Sequence, residues 1–456
     1  MSQFKLDSQV DKNKVFLIKR HDLDARLDVE YYQPKHFELL TRLSASLYPI
    51  KTLKEISKKI VDGPFGSSVK ANDYVENGIP FLRVADITHG DGTIELDGLI
   101  YISLEKHREI SRSTVFPNDV VIAKTGATMG AASIVPETIK EANIRGDLAA
   151  VIVNDTVFAN YIVNFINTKI GQDLFWRLNS GATRGRVVIS NLRKYPIVIP
   201  DAKKMAEINQ FVDSAKIRKN QKSQQAQALL AGIDAYLLAE LGITLPQQDN
   251  TFPKRIFKSN FSELIGKRFD PNWYFNSHYR IEGGKFPNFS LGNIAFVSKG
   301  QSITSAQIEV GLYPVVAGGQ SSPYKHHAFN YEGNVITVSA SGAYAGYVWY
   351  HETPIFASDC SVIGSKNEEE IKTLFLAEIL KLKQKEIYYL QQGAGQPHVY
   401  SRDLIRLNIP VPPKSIQLEI LRQIDSIRIQ AKQLQTEAAQ ILANAKAEVE
   451  RMILGE

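Results

Sequence analysis

LRKYPIVIP at residues 192–200 and LIRLNIPVP at residues 404–412 are two copies of one pattern, in which a short apolar strand ends in proline. Helix-forming sequence follows each copy, and Glu207 after the first corresponds to Glu419 after the second at the same offset. Because a duplicated unit dictates the architecture of a chain, this repeat is the first constraint on the fold. It predicts two similar globular heads, each closed by a strand and followed by a helix.

Two more patterns recur in the same order in both halves. An arginine, an aspartate and two closing aromatic residues keep their spacing in 26–32 and in 268–274. Further along, 118–130 and 333–346 each contain a turn, a buried strand and a glycine-rich loop. Short β-rich runs separated by Gly, Asn and Pro predict that each head is α+β, with mostly strand at its binding face.

Two long amphipathic helices are predicted over about 202–241 and 415–453, where apolar residues recur at spacings of three and four. A helix of about 40 residues is about 60 Å long, more than one small domain covers, so the two apolar stripes are expected to pack together as a coiled coil. The predicted domains are a first head at 1–201, a spacer helix at 202–241, a linker at 242–253, a second head at 254–413 and a second spacer helix at 414–456.

Composition limits the class of protein. The net charge of +6 mildly favours a polyanionic partner such as nucleic acid. Cys360 is the only cysteine, which excludes an internal disulfide framework and any zinc site built on several thiolates. No apolar run approaches the roughly 20 residues that span a bilayer, and nothing in 1–20 reads as a signal peptide. We therefore expect a cytoplasmic protein without membrane association.

The order of these elements resembles that of a known family, the specificity subunits of type I restriction-modification systems. The phrases that carry the resemblance lie in both halves, at 78–83, 120–130, 181–192, 333–346 and 391–404. In that family two target-recognition domains alternate with two long helices, which form an antiparallel coiled coil that fixes the distance between the domains. The resemblance covers nearly the whole chain and implies an α+β fold of that kind.

The resemblance also implies a function. The chain would recognise a bipartite, asymmetric target in double-stranded DNA, each head reading one half, with an unread gap near one helical turn of about 10 base pairs. Its partners would be two DNA methyltransferase subunits and the endonuclease or translocase subunits. This chain would bind no cofactor itself, whereas S-adenosylmethionine would belong to the methyltransferase, and ATP with Mg²⁺ to the endonuclease.

In the first head, small hydroxyl and cationic side chains occupy glycine-rich loops suited to phosphate and base contacts. The loop at 63–70 is equally consistent with a plain surface turn. Arg83 is suited either to guanine recognition or to a structural salt bridge with Asp86. The loop at 124–130 lacks the Gly-Lys-Ser/Thr ending of a nucleotide-binding P-loop, so nucleotide binding is rejected. The candidate DNA contacts are Ser67, Ser68, Lys70, Arg83, Thr88, His89, Lys124, Thr125, Arg184 and Arg186.

In the second head, amides, hydroxyls and potential cations concentrate on the loop at 318–327, where the side chain of Gln320 is of a type suited to reading adenine. The pair of histidines there, with His351, is also a weak metal-ligand signal, but no carboxylate or cysteine completes a recognised spacing. The glycines at 342 and 346 suit either a close approach to DNA or a tight hairpin. The candidate contacts are Gln320, Lys325, His326, His327, Ser339, Ser341, Tyr344, Gln396, His398 and Arg402.

The sequence predicts no catalytic centre. It lacks the Asn/Asp-Pro-Pro-Tyr/Phe loop of amino-methyltransferases, and its two matches to a nuclease Asp/Glu-x-Lys pattern, 201–203 and 370–372, lie at predicted helix starts. Two alternatives stay open: a recognition subunit of a related defence or modification assembly, and a coiled-coil scaffold that binds only proteins.

Overall fold

A computed structural model of the chain describes residues 9–11, 14–23, 26–64, 68–87, 90–153, 155–181, 185–245, 251–252, 256, 258, 260–264, 271–276, 279–393 and 395–455. The chain forms two compact units. Unit 1 comprises Met1–Gln224 and Leu434–Glu456, and unit 2 comprises Gln225–Gln433. Each unit therefore contains one head together with a segment of each long helix, whereas the predicted boundaries separate heads from helices.

The described residues of unit 1 form six α-helices before the first long one: α1 (Pro34–Ser44), α2 (Leu53–Ile56), α3 (Leu104–Glu109), α4 (Thr156–Ile166), α5 (Lys169–Arg177) and α6 (Ile189–Leu192). Its described strands are β1 (Ile50–Thr52), β2 (Lys59–Asp62), β3 (Tyr74–Val75), β4 (Ile79–Leu82), β5 (Tyr101–Ile102), β6 (Thr114–Val115), β7 (Val120–Ala123), β8 (Ala132–Ile134), β9 (Ala142–Ile144), β10 (Leu148–Ile152) and β11 (Pro196–Val198).

The centre of unit 1 is a four-stranded antiparallel sheet in the order β2-β10-β7-β8. Both faces of this sheet are covered, which is why β7 is a continuous apolar run. Its alternate residues enter two different cores: Val120 packs with α4 and α5, and Val121 packs on the opposite side. A five-stranded sheet in the order β3-β5-β4-β9-β6 and the pair β1-β11 complete the head.

Unit 2 repeats this plan. Its helices before the second long one are α8 (Phe261–Leu264), α9 (Pro271–Asn276), α10 (Leu291–Ile294), α11 (Thr373–Leu382), α12 (Gln384–Tyr388) and α13 (Ser401–Leu404). Its described strands are β12 (Asn288–Ser290), β13 (Ala295–Lys299), β14 (Val310–Val316), β15 (Lys325–His326), β16 (Val335–Ser339), β17 (Val348–His351), β18 (Phe356–Ala357), β19 (Cys360–Ser365) and β20 (Asn408–Pro410). The central sheet has the order β13-β19-β16-β17, beside β15-β14-β18 and β12-β20.

The first long helix is α7, over Ala202–Leu241, and the second is α14, over Lys414–Leu454. Their direction of packing is visible inside each unit. In unit 1, Lys222 Nζ on α7 lies 2.8 Å from a carboxylate oxygen of Glu437 on α14. In unit 2, Ile233 and Ile424 share one core. Ile208 on α7 and Val449 on α14 share a core inside unit 1. Within unit 1 the partner position on α14 therefore falls from Val449 to Glu437 as the position on α7 rises from Ile208 to Lys222, so the helices are antiparallel there. No described helix is both long and apolar enough to cross a membrane.

Candidate nucleic-acid interface

In the first head two loops are joined edge to edge. The loop after β7 turns at Gly126, whose φ of 89° lies in the left-handed region that favours glycine. Its backbone N–H donates to the carbonyl of Gly185 at 3.0 Å, and the N–H of Val187 donates to the carbonyl of Lys124 at 2.8 Å. The β7–β8 loop and the loop that precedes α6 therefore form one surface.

The second head contains the same pair of loops. Gly342, with a φ of 87°, follows β16 and donates its N–H to the carbonyl of Pro397 at 3.1 Å. The N–H of Val399 donates to the carbonyl of Ala340 at 3.0 Å. The β16–β17 loop is thereby joined to the loop that precedes α13, as its counterpart in the first head is joined to the loop before α6.

A glutamine supports the loop in both heads. Gln172 Nε2 donates to the carbonyl of Gly130 at 2.7 Å, and Gln384 Nε2 donates to the carbonyl of Gly346, also at 2.7 Å. The matching positions make the two surfaces directly comparable. Thr125 corresponds to Ser341, Lys124 to Ala340, and Arg186 to His398. The backbone is repeated, but these side chains differ.

Two of the predicted contacts in the first head come together at this surface. Thr125 is half-buried and lies opposite the exposed Arg186 in a β-bridge. The N–H of Arg186 donates to Asn179 Oδ1 at 2.8 Å, so a side chain positions the backbone from which this arginine projects. The geometry leaves the guanidinium of Arg186 on the surface.

Lys124 requires a correction. Its side chain is buried and forms an ion pair with Asp62 at the base of the loop, so its ammonium is an internal counterion and not a surface cation. A lysine is buried only when it is paired, and Asp62 supplies that pairing across the sheet. Only the backbone of Lys124 contributes to the loop surface.

The other first-head candidates lie elsewhere. The guanidinium of Arg83 donates to both carboxylate oxygens of Asp86, at 3.1 and 2.7 Å, which is the structural salt bridge considered above. The carbonyl of Ser68 accepts a hydrogen bond from Lys106 on α3 at 3.3 Å, and the side chain of Lys70 is exposed. Ser67, Thr88, His89 and Arg184 lie outside the described residues.

In the second head a third loop, at 317–324, joins the surface. Ser339 is buried and its hydroxyl donates to the carbonyl of Gly319 at 3.5 Å. The hydroxyl of Ser341 donates to the carboxylate of Asp359, so both serines hold the loops in place rather than pointing into solvent. The predicted contacts that are exposed on these three loops are Gln320, Tyr344 and Gln396.

His326 is a second correction. It is buried on β15, where its Nδ1 accepts the backbone N–H of Glu309 at 3.2 Å and its ring meets the edge of Phe356 at 5.0 Å. In that position the ring fills space and accepts a hydrogen bond from a backbone donor. The neighbouring Lys325 and His327 are exposed, and His327 Nδ1 lies 3.4 Å from a carboxylate oxygen of Glu309.

Aromatic stacking organises the loop that precedes α13. The ring of His398 stacks on Tyr400 with 6.0 Å between centroids, and the guanidinium of Arg402 lies 4.7 Å from the centroid of the same tyrosine. A cation beside aromatic rings is suited to contact nucleotides, because rings stack on bases and guanidinium groups pair with phosphates. His398 is partly exposed and Arg402 is exposed, so both side chains are accessible from solvent.

No metal centre is visible among the described residues, since no three His, Cys, Asp or Glu side chains there converge. His351 Nε2 instead pairs with the hydroxyl of Thr337 at 2.8 Å inside the sheet. Burial raises the pKa of the Cys360 thiol to about 12. Asp201, the first residue of one nuclease-like pattern, accepts the N–H of Lys204 at 2.8 Å and so caps α7.

Sequence reasoning missed the residues that position the loops: Asn179, Gln172, Gln384 and Asp359. The signal that identifies the two glutamines is the offset of the repeat, because Gln172 and Gln384 are separated by the same interval as Leu192 and Leu404. It also missed a cleft of about 800 Å³ beside α13, where Asp403 accepts a hydrogen bond from Gln392 at 2.6 Å.

Three comparisons with known proteins show what this chain is similar to. The family model "Type I restriction modification DNA specificity domain" matches residues 284–442. Two curated proteins of Mycoplasma pneumoniae that carry the designation of type I specificity subunit are 26% identical over 155 residues and 24% identical over 149 residues. Those alignments cover 33% and 31% of this chain, and 42% and 48% of the relatives, so the chain spans less than half the length of each.

A solved structure gives the same fold. It is described as "Structural basis underlying complex assembly and conformational transition of the type I R-M system", and its chain is 13% identical to this one. The match has a TM-score of 0.50 and covers 90% of this chain and 96% of the other. At that identity the likeness shows the fold alone, and it agrees with the α+β heads and the long helices described above. Together with the sequence matches, it shows that this chain is similar to type I restriction-modification specificity subunits.

Proposed function

We propose that this chain is the sequence-specific DNA-recognition subunit of a type I restriction-modification complex. Each head would read one half of a bipartite, asymmetric target in double-stranded DNA. The heads would be the target-recognition domains at 1–201 and 254–413, and the helices at 202–241 and 414–456, with the linker at 242–253, would set the gap between the half-sites.

One observation carries the proposal: the same loop surface occurs twice, with different side chains. Arg186 in the first head is replaced by His398 in the second, and Thr125 by Ser341. Conserved backbone with altered side chains is what two readers of different half-sites require, because base identity is read by side chains while the backbone positions them. The excess positive charge of the chain supports a polyanionic partner.

In this proposal the chain directs enzymes and performs no chemistry itself. Two DNA methyltransferase subunits would bring S-adenosylmethionine, and the endonuclease or translocase subunits would bring ATP and Mg²⁺. The matching structure concerns complex assembly of a type I R-M system, which supports an assembly of this kind.

The decisive experiment is methylome sequencing of cells with and without the gene. We expect a bipartite methylated motif that disappears on deletion and returns with the unmodified gene. Complementation with Arg186→Ala should alter the preference in one half-site, and complementation with Gln396→Ala/His398→Ala should alter it in the other. Arg422→Ala, an exposed position on α14, is the matched control and should leave the motif unchanged.

The two alternatives give different results. A recognition subunit of another defence assembly would bind a specific duplex without any change in DNA methylation. A scaffold that binds only proteins would show no preference among duplexes at moderate salt, even together with a methyltransferase.

A further inference from the structure

The second head exposes two large apolar side chains on one strand. Val310 is 97% exposed and Leu312 is 82% exposed, and both belong to β14. A single exposed apolar residue needs no explanation, but two on one strand form an apolar surface whose burial against a partner is favourable.

β14 is the middle strand of the sheet β15-β14-β18, but β18 pairs only with Val315 and Val316. Over Val310–Pro314 the strand pairs with β15, and this two-stranded ribbon has an inner and an outer face. The inner face packs on the head, where the ring of Tyr313 meets Phe329 at 4.9 Å and His326 meets Phe356. Leu312 alternates with Tyr313 and therefore points outward. A bulge separates Val310 from Tyr313, and the exposure of Val310 and Leu312 with a partly buried Gly311 between them places Val310 on the outer face as well.

Lys325 shares the outer face. It pairs with Pro314 across the ribbon, and cross-strand partners lie on the same side of a sheet. The exposed ammonium of Lys325 therefore stands on the face that carries Leu312. The carboxylate of Glu309, the residue before β14, faces His327. The outer face thus combines apolar contact area with a cation.

We propose that this outer face enters the major groove of the second half-site, where Val310 and Leu312 contact the methyl groups of thymine bases. The inference rests on the proposed function. A two-stranded β-ribbon fits the major groove, and thymine is the base that presents a methyl group there. Lys325 supplies charge complementarity to the phosphate backbone. The ribbon also continues into the loop at 317–324, which is part of the candidate interface through Gly319.

This surface belongs to the second head alone. β4 in the first head is the counterpart of β14, because Leu82 lies beside β9 as Val316 lies beside β18. At the same spacing from that pair, the positions of Val310 and Leu312 are taken by Glu76 and Gly78. A carboxylate and a glycine do not offer a methyl-binding surface, so thymine contacts of this kind would occur in one half-site only.

The test uses the full chain with its methyltransferase and a duplex that carries the target found by methylome sequencing. Thymines of the second half-site are replaced one at a time by uracil, which removes only the 5-methyl group, and affinity is measured by fluorescence anisotropy. We expect the unmodified protein to bind about fourfold less tightly for each methyl group it contacts. Val310→Ser/Leu312→Ser should bind the thymine duplex more weakly and show no further loss with uracil.

Leu96→Ser, which changes an exposed leucine of the first head, is the matched control and should respond to uracil as the unmodified protein does. If uracil leaves the affinity of the unmodified protein unchanged at every position, the inference is wrong while the proposed function stands. If the unmodified protein shows no preference for its target, the proposed function fails. If the double variant loses methyltransferase binding but keeps its uracil response, the surface contacts protein instead of DNA, and the inference is overturned. The uracil series on unmodified protein needs no variant to fold.

Discussion

The ion pair between Glu378 and Arg428 fastens the second head to a long helix, and its removal is a quantitative test of the structure. Glu378 lies on α11 with only 2% of its side chain exposed, and the guanidinium of Arg428 on α14 donates to both carboxylate oxygens, at 3.1 and 2.6 Å. Asp234 on α7 faces the same place, and its pKa is raised first by burial and then by the charge of Glu378. We therefore predict that Arg428→Met destabilises unit 2.

The expected loss in the free energy of unfolding depends on which charges remain around Glu378 once Arg428 is replaced. Removing one partner of a fully buried ion pair costs about 3–5 kcal/mol, because the other charge is left uncompensated. Arg428 is 39% exposed, and Lys381 still lies 3.2 Å from Glu378 after the substitution. Solvent and the second cation lower the cost, so we expect a loss of about 2 kcal/mol in the free energy of unfolding. Glu378→Leu/Arg428→Met should recover most of it, because no buried charge is stranded.

Urea unfolding followed by tryptophan fluorescence measures this loss. Trp176 is the only one of the three tryptophans in unit 1, so a Trp176→Phe background reports on unit 2. Arg422→Met is the matched control on α14, because its pairing with Glu419 is exposed on both sides. It should change the free energy of unfolding by less than about 0.5 kcal/mol. Equal effects of Arg428→Met and the control, or a double variant as unstable as the single one, would refute the reasoning.

Three further predictions test the loops and the buried polar groups. Gly346→Ala should destabilise unit 2 by about 1–2 kcal/mol, because the φ of Gly346, 96°, lies in the left-handed region. Gly232→Ala, at an open position of α7, should instead stabilise unit 2 by about 0.5–1 kcal/mol. Chemical denaturation measures both changes. Arg186→Ala should weaken DNA binding and, if the guanidinium contacts phosphate, reduce the slope of log affinity against log salt by about 1, whereas an unchanged affinity would remove Arg186 from the interface. Burial lowers the pKa of His351 from its ordinary 6.5 to about 4. Between pH 6.5 and 4 the unfolded chain therefore binds a proton that the folded chain does not, so stability falls as pH falls through that range. His351→Asn should flatten the slope of stability against pH there, and an unchanged slope would contradict the burial.

The repeat and the two long helices were predictable from sequence because each is a local pattern. Apolar spacings of three and four predicted helices over about 202–241 and 415–453, and the structure has them at Ala202–Leu241 and Lys414–Leu454. The glycine-rich loops were predictable for the same reason. A backbone conformation with positive φ favours glycine, so a glycine directly after a buried strand predicts it. Gly126 and Gly342 both have that conformation.

The candidate site was predictable only in part. The sequence identified which loops carry polar side chains, but exposure depends on partners that are far away in the chain. Lys124 and His326 are residue types that often contact DNA. In the structure, however, Lys124 is buried in an ion pair with Asp62, and the ring of His326 packs against Phe356. Residue type alone does not report such neighbours.

Lys216 and Arg428 show most directly what could not be predicted from the sequence. They occupy equivalent positions on α7 and α14, 212 residues apart like Leu192 and Leu404, and both carry a cation. Arg428 pairs with the buried Glu378, whereas burial lowers the pKa of Lys216, which lies near Asp213. The sequence by itself determined the duplicated order, the helices and the loops, because these follow from local spacing and backbone preference. Only the tertiary structure decided which charges are buried, which are paired and which face outward, because desolvation and Coulomb energy depend on distances between residues that the chain order does not contain.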